Sequence, residues 1–180
     1  MSAATSNRKG PQEPIAFSQP SPVENRVSRI FRAPPERVFR LFTDPATLPY
    51  VYAPDPKSVT IEKLEFRKGG KYSFRVRMDD GSSVRFQGEF REIDPPRRIV
   101  NTFEVDAFPG AHAVETDEFE PIGDFTRVTV HWVYHRPEDR DKMWGPEVEQ
   151  AITAMWENID GLLERGGVRV YKGPAVGEAR

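Results

Sequence analysis

Near its C-terminal end the chain carries one stripe of apolar residues, Val148, Ile152, Met155, Ile159 and Leu162, at steps of three and four. That period belongs to an amphipathic helix. Pro146 suits its first turn, and Gly166-Gly167 stops it. Glu147, Gln150, Thr153, Glu157, Asp160 and Glu164 face elsewhere. A helix of about 20 residues is roughly 30 Å long. Its stripe has to be buried, and because the segments before it read mostly as strands, the partner is the apolar face of a sheet.

The strands show as period-two alternation. Tyr72, Phe74, Val76 and Met78 alternate strictly with Lys71, Ser73, Arg75 and Arg77. Asp79-Asp80-Gly81 is a hairpin turn, since Asp-Gly tolerates positive φ. Val84, Phe86, Gly88 and Phe90 share one face of the partner strand, which ends at Asp94-Pro95-Pro96. Ile99, Asn101, Phe103 and Val105 form the next strand, and residues 113–120 another. A turn at Gly123-Asp124 leads into residues 127–135, where Val128, Val130, Trp132 and Tyr134 share a face. Earlier, Val59, Ile61 and Leu64 to Phe66 suggest a bulged strand turned by Gly69-Gly70. Residues 23–31 alternate as a first strand. Pro35 opens a short helix carrying Val38, Phe39, Leu41 and Phe42, closed by Asp44-Pro45. Ala46 to Pro49 suits one more short turn, and residues 50–57 read as a loop.

The fold class is therefore α+β: a curved antiparallel sheet wrapped around one long C-terminal helix. One domain is expected over residues 23–167, with tails at 1–22 and 168–180. The first tail is rich in Ser, Pro, Gln, Asn and Ala, and its large apolar residues are Met1, Ile15 and Phe17. Such a segment buries too little to offset its ordering entropy, so it reads as flexible.

Composition excludes several function classes. With no cysteine there is no disulfide, thiolate metal site or thiol nucleophile. A net charge of −2 with mixed signs lacks the footprint of a nucleic-acid binder. The densest basic run, Arg26, Arg29, Arg32, Arg37 and Arg40, reads as a solvated strand edge and helix face. No segment approaches the ~18 apolar residues of a membrane span, and no signal peptide is visible, so a cytoplasmic location is expected.

Five segments carry a resemblance. They are Val27-Ser28-Arg29-Ile30-Phe31-Arg32-Ala33-Pro34, Glu36 to Pro45 with its Thr43-Asp44-Pro45 stop, Lys68-Gly69-Gly70-Lys71-Tyr72, Gly88 to Pro96, and Thr126 to Val130. In this order they resemble the START-like (SRPBCC) helix-grip superfamily of polyketide cyclases, plant allergens and lipid-transfer domains. Within it they resemble the branch named for activators of the heat-shock protein 90 ATPase. The resemblance implies the helix-grip fold, with an apolar pocket between sheet and helix in related members. There are two departures. Tyr50-Val51-Tyr52-Ala53-Pro54 stands where the branch carries a Trp-rich segment. The eukaryotic activators also have a chaperone-binding domain before this one, where a short tail is read here, which tells against a co-chaperone role.

No phosphate loop, dinucleotide fingerprint, nucleophile elbow or His-Glu-x-x-His is present, and no cofactor or metal is expected. His131 and His135, four apart in a strand, sit about 13 Å from each other, too far to share a zinc ion. Their parity is opposite to the apolar stripe, so they are expected to face solvent, and His112 to lie in a loop. Glu115 and Asp117 share parity with Phe119. If Phe119 points inward, two carboxylates roughly 6–7 Å apart do too, and acid–base chemistry of hydratase or cyclase type becomes available. The commoner outcome, and the expected one, has Val114 and Thr116 inward or the carboxylates at a wet rim. Asn101 is a further candidate polar group on an inner face.

The aromatic supply points to a ligand. Tyr72, Phe74, Phe86, Phe90, Phe103, Phe119 and Trp132 fall on proposed inner faces. Met155, Trp156 and Ile159 look back from the helix. Most such residues are ordinary core, yet a sheet curved round one helix often leaves a gap at one end. The expected function is non-catalytic binding of a small apolar or aromatic, lipid- or polyketide-like molecule. The alternatives are a cyclase- or hydratase-type enzyme and a chaperone partner acting through its surface. Edge strands need protection, so a homodimer is open.

Overall fold

A computed structural model describes residues 13–165. The strands are β1 (Ala16–Ser18), β2 (Glu24–Phe31), β3 (Val59–Leu64), β4 (Lys71–Arg77), β5 (Ser83–Asp94), β6 (Arg98–Val105), β7 (His112–Ile122) and β8 (Phe125–Tyr134). The helices are α1 (Pro35–Leu41), α2 (Leu48–Tyr52), α3 (Pro137–Met143) and α4 (Pro146–Glu164). All eight strands form one antiparallel sheet in the order β1-β2-β8-β7-β6-β5-β4-β3. The expected stop at Gly166-Gly167 and the tails at 1–12 and 168–180 lie outside the described residues.

Helix α4 buries Ile152, Trp156, Ile159, Leu162 and Leu163, while Val148 and Met155 of the expected stripe are half-buried. The face has turned toward Trp156, whose ring packs against Phe31 of β2 with centroids 5.4 Å apart. The core joins α4 to Val27, Phe31, Val128 and Val130 of the sheet and to Val38, Phe39 and Leu41 of α1.

Two bulges change which residues face inward. In β3 the register shifts between Ile61 and Lys63, as the sequence suggested, so Ile61 pairs with Phe74 and Leu64 with Tyr72. In β5 it shifts between Phe90 and Glu92. Phe90 lies opposite Asn101, and beyond the bulge Ile93, of opposite parity, lies opposite Ile99. Gly88 is a place where a side chain cannot fit: a Cβ there would sit 1.9 Å from the Thr102 carbonyl oxygen and 2.8 Å from the Tyr72 ring. Its absence lets Tyr72 lie across β5 and donate its hydroxyl to that carbonyl at 2.8 Å. The hairpin turn at Gly81 has the expected positive φ, 85°.

The structure corrects four expectations. Residues 16–18 form β1 on β2 rather than belonging to a flexible tail: Phe17 lies opposite Val27, and Ile15 and Phe17 pack on the core. Residues 48–52 are a helix rather than a turn and loop, with Leu48 as the buried anchor. Helix α3 has no counterpart in the periodicity, because apart from Met143 its one buried side chain is Asp139, held by Arg136 at 2.7 Å. Arg29 is not solvated. β2 is an interior strand, and Arg29 shares its inner face with Val27 and Phe31. It is buried and meets Asp160 of α4 at 2.5 Å. Arg37 donates to the Leu163 carbonyl at 2.7 Å, satisfying one of the open carbonyls of α4's last turn.

Two predictions follow from this packing, both read by urea unfolding. Asp160→Asn leaves the Arg29 charge buried, with Nε and Nη1 already lacking hydrogen-bond partners. A loss of about 3 kcal/mol is expected, and Arg29→Met, which removes the charge and keeps the stem, should cost less. Gly88→Ala should cost at least about 2 kcal/mol, since both neighbours of the new methyl are fixed.

Candidate functional site

Strand β7 pairs with β6 and β8 without a register shift, so Ala113, Glu115, Asp117 and Phe119 all face the helix side. Phe119 decides the orientation. Its ring lies 5.1 Å from that of Phe39 and 5.3 Å from that of Phe42. The expectation of Val114 and Thr116 inward, or of carboxylates at a wet rim, is overturned: Glu115 and Asp117 are each 8% exposed.

The ladder gives the two carboxyls different neighbours. Glu115 lies between Asn101 of β6 and Trp132 of β8, while Asp117 lies between Ile99 and Val130. Trp132 Nε1 donates to Glu115 Oε2 at 2.5 Å, and Asn101, opposite Glu115 on β6, donates its amide to the Thr102 carbonyl at 3.2 Å. Asn101 Nδ2 also donates to the Tyr72 hydroxyl at 3.1 Å. No hydrogen bond reaches the Asp117 carboxyl among the described residues.

The electrostatics follow from these surroundings. Burial pushes the Glu115 carboxyl from 4.5 up to about 7, against the pull of the Trp132 and Asn101 donors. Burial, reinforced by the charge on Glu115, pushes Asp117 well above the usual carboxylate range. The indole donor on Glu115, with no counterpart at Asp117, favours placing the pair's negative charge on Glu115 and the proton on Asp117. Burial also raises the hydroxyls of Tyr52 and Tyr72, with the two carboxylates adding to the effect.

In front of the pair is a cavity of ≈ 20 Å³, room for about one water molecule. Phe42 and Thr43 close it from the end of α1, Leu48 and Tyr52 from α2. Leu64, Phe66, Phe74, Phe90, Ile99 and Asn101 complete its wall with Glu115 and Asp117, and among the described residues no Lys, Arg or His lines it. The Tyr52 ring lies 4.3 Å from that of Phe74, and Phe66 meets Phe90 edge-on at 5.2 Å.

Of the aromatic residues proposed from the sequence, Phe74 and Phe90 line this cavity, Tyr72 stands behind Asn101, and Trp132 grips Glu115. Phe86 and Phe103 pack on each other at 5.8 Å in a second cluster with Val105, Ala113, Tyr134 and Met143. Phe119, Trp156 and Ile159 belong to the close-packed core, and Met155 packs half-buried against it, so the cavity wall does not include these four. Sequence reasoning missed Tyr52. The signal available was the pair of tyrosines in Tyr50-Val51-Tyr52, two large aromatic residues in a segment read as loop.

The histidines stand apart from the cavity. His131 is half-buried on the outer face, its Nε2 2.9 Å from Glu24 Oε1. His135 is exposed, and His112 opens β7 rather than lying in a loop; their rings stack at 5.1 Å. Among the described residues no three His, Asp or Glu side chains gather where a metal ion could sit, and no helix is long and apolar enough to cross a membrane.

Comparison with known proteins supports the architecture. A crystal structure of a protein from Rhodobacter sphaeroides superposes with a TM-score of 0.74 at 21% identity, covering 84% of this chain and 99% of that one. A solution structure from Arthrobacter aurescens gives 0.73 at 21% identity over 92% and 98%. Protein Ms6760 from Mycobacterium smegmatis gives 0.74 at 19% identity over 83% and 97%. At these identities the likeness is one of fold. No curated protein matches in sequence. The family model for Activator of Hsp90 ATPase homolog 1-like protein matches residues 32–164. That span is most of the chain and holds the helix-grip elements from α1 to α4, and the protein belongs to this family.

Proposed function

We propose that this chain binds a small molecule with an aromatic or apolar body between the sheet and α4, its polar end held by Glu115, Asp117 and Asn101. The acid pair carries this reading. Two carboxyls in an aromatic enclosure oppose folding. Neither caps a helix or meets a cation, so the fold has no use for them, and buried titratable groups of this kind mark functional sites. Membership of a family with helix-grip relatives supports the same reading. The same membership raises a co-chaperone-like role, for which no described cluster speaks as directly as the acid pair speaks for a ligand.

A ligand needs more room than ≈ 20 Å³, and Tyr52 occupies the place where that room is made. Its ring covers Phe74 and reaches Phe86 at 6.1 Å, bridging the two apolar clusters. α2 has five residues and packs on α4, with Asn158 Nδ2 bonding the Pro54 carbonyl at 2.8 Å just beyond it. Displacing α2 opens the cavity toward both clusters.

The same pair favours a second reading. One carboxyl holding a proton beside one that titrates near neutrality can act as acid and base on a bound ketide-like compound. Turnover by the wild type that Glu115→Gln abolishes while binding persists would establish chemistry; binding without product would leave a carrier.

Two outcomes test the site. Tyr52→Ala removes the ring over Phe74 and should take up the neutral fluorescent probe N-phenylnaphthylamine more tightly than the wild type. Saturation should raise the melting temperature by several degrees. If neither protein takes up the probe, the binding reading fails. Stability should also follow pH with a definite sign. Between about 4.5 and 7, folded Glu115 holds a proton that the unfolded chain has released. This contribution is full below the unfolded value and is lost as pH rises through the folded one. Glu115→Gln should therefore match the wild type in acid and exceed it by about 1–3 kcal/mol above neutrality, measured by urea unfolding across pH.

A further inference from the structure

The cavity has carboxyls, aromatic rings and hydrogen-bond acceptors, and among the described residues its wall holds no cation. We infer that the polar end of the ligand is a protonated amine, seated between the Glu115 and Asp117 carboxyls and the rings of Phe66, Phe74 and Phe90. This rests on the binding reading above and adds the chemical class of the ligand.

Three observations carry it. Asp117 is more than nine-tenths buried, lines the cavity and has apolar ladder neighbours, so its carboxyl lacks any hydrogen-bond partner among the described residues. Glu115 is prepared as an anion: the Trp132 indole, which can only donate, bonds its Oε2 at 2.5 Å. With one proton kept on Asp117, the pair carries one negative charge that nothing in the wall balances. Finally, Tyr52, Phe66, Phe74 and Phe90 enclose the cavity, and aromatic faces beside a carboxylate are the surroundings that hold an ammonium group.

The titratable groups facing the pair are Tyr52 from α2, Tyr72 from β4 and Tyr134 from β8, all held neutral by burial. Arg140 of α3 acts on Tyr134 and Asn25, and neither carboxyl feels a cation. A ligand ending in a carboxylate would bring a second negative charge to a site that has no cation for it. One ending in a hydroxyl gains a hydrogen bond and leaves the charge unbalanced.

The test uses three compounds on one skeleton, phenethylamine, phenethyl alcohol and hydrocinnamate. They displace N-phenylnaphthylamine from the full chain and from its Tyr52→Ala variant. The amine should bind at least about tenfold more tightly than the alcohol, with hydrocinnamate weakest. Its affinity should fall by about tenfold per pH unit below the Glu115 titration near 7 and level off above it, while the alcohol stays flat. Glu115→Gln should remove both the preference and the slope; if that variant does not fold, the wild-type pH profile decides. Equal or tighter displacement by the alcohol or hydrocinnamate, or a flat profile for the amine, overturns the amine and leaves the binding reading standing. Failure of the probe itself to bind either protein overturns both.

Discussion

The inner face of the sheet has to bury α4, and it does so with strands that also carry charge inward. On β2, Arg29 lies between Val27 and Phe31 and takes Asp160 of α4 as its partner. On β7, Glu115 and Asp117 lie between Ala113 and Phe119 and have no cation partner among the described residues. Strand geometry leaves no other choice. Side chains alternate, so a strand whose aromatic residue is fixed in the core commits every second residue to the same side. Phe119 is fixed by Phe39 and Phe42, and the carboxyls follow it.

The two inward charged groups are treated in opposite ways. Arg29 is matched by a carboxylate on the element it packs against, and together with the Arg37 bond to Leu163 it fixes the C-terminal half of α4 to β2 and α1. The acid pair is matched by donors on one member only. Trp132 serves Glu115, and the ladder gives Asp117 nothing but Ile99 and Val130. A charge paired across two elements contributes position; one left unmatched beside a cavity is available to a molecule that enters it.

How much of this was legible in the sequence depends on the range of the signal. Period-two alternation is local, and it placed Tyr72, Phe74, Phe90, Asn101 and Trp132 on the inner face correctly, in strands that the fold confirms. For β7 the parity argument already contained the answer. The general rule that carboxylates avoid interiors pointed the other way, and it lost because the ladder through β7 has no bulge to release them. In β5 a bulge does intervene, and simple parity would have misplaced Ile93. Short elements stayed hidden for a different reason. β1 has three residues and α2 five, too few for any period to show, and each is held by packing on another element, β1 on β2 and α2 on α4. Tyr52 was lost with α2, and with it the cover of the cavity.

That cover also decides where the molecule can open. Lifting α4 would expose five buried apolar side chains and break the Arg29–Asp160 pair. Lifting α2 exposes one buried side chain, Leu48, with Tyr50, Val51 and Tyr52 only half-buried to begin with. Local opening follows the least buried apolar surface. Of the two, α2 is the less costly to displace, which would carry Tyr52 off Phe74, and Phe74 belongs to the same cavity wall as Glu115 and Asp117. The rigid half of the grip holds the carboxyls in register on β7, and the weakly held half stands over them. A site on a packed strand under a short helix keeps its polar groups positioned while the cover moves.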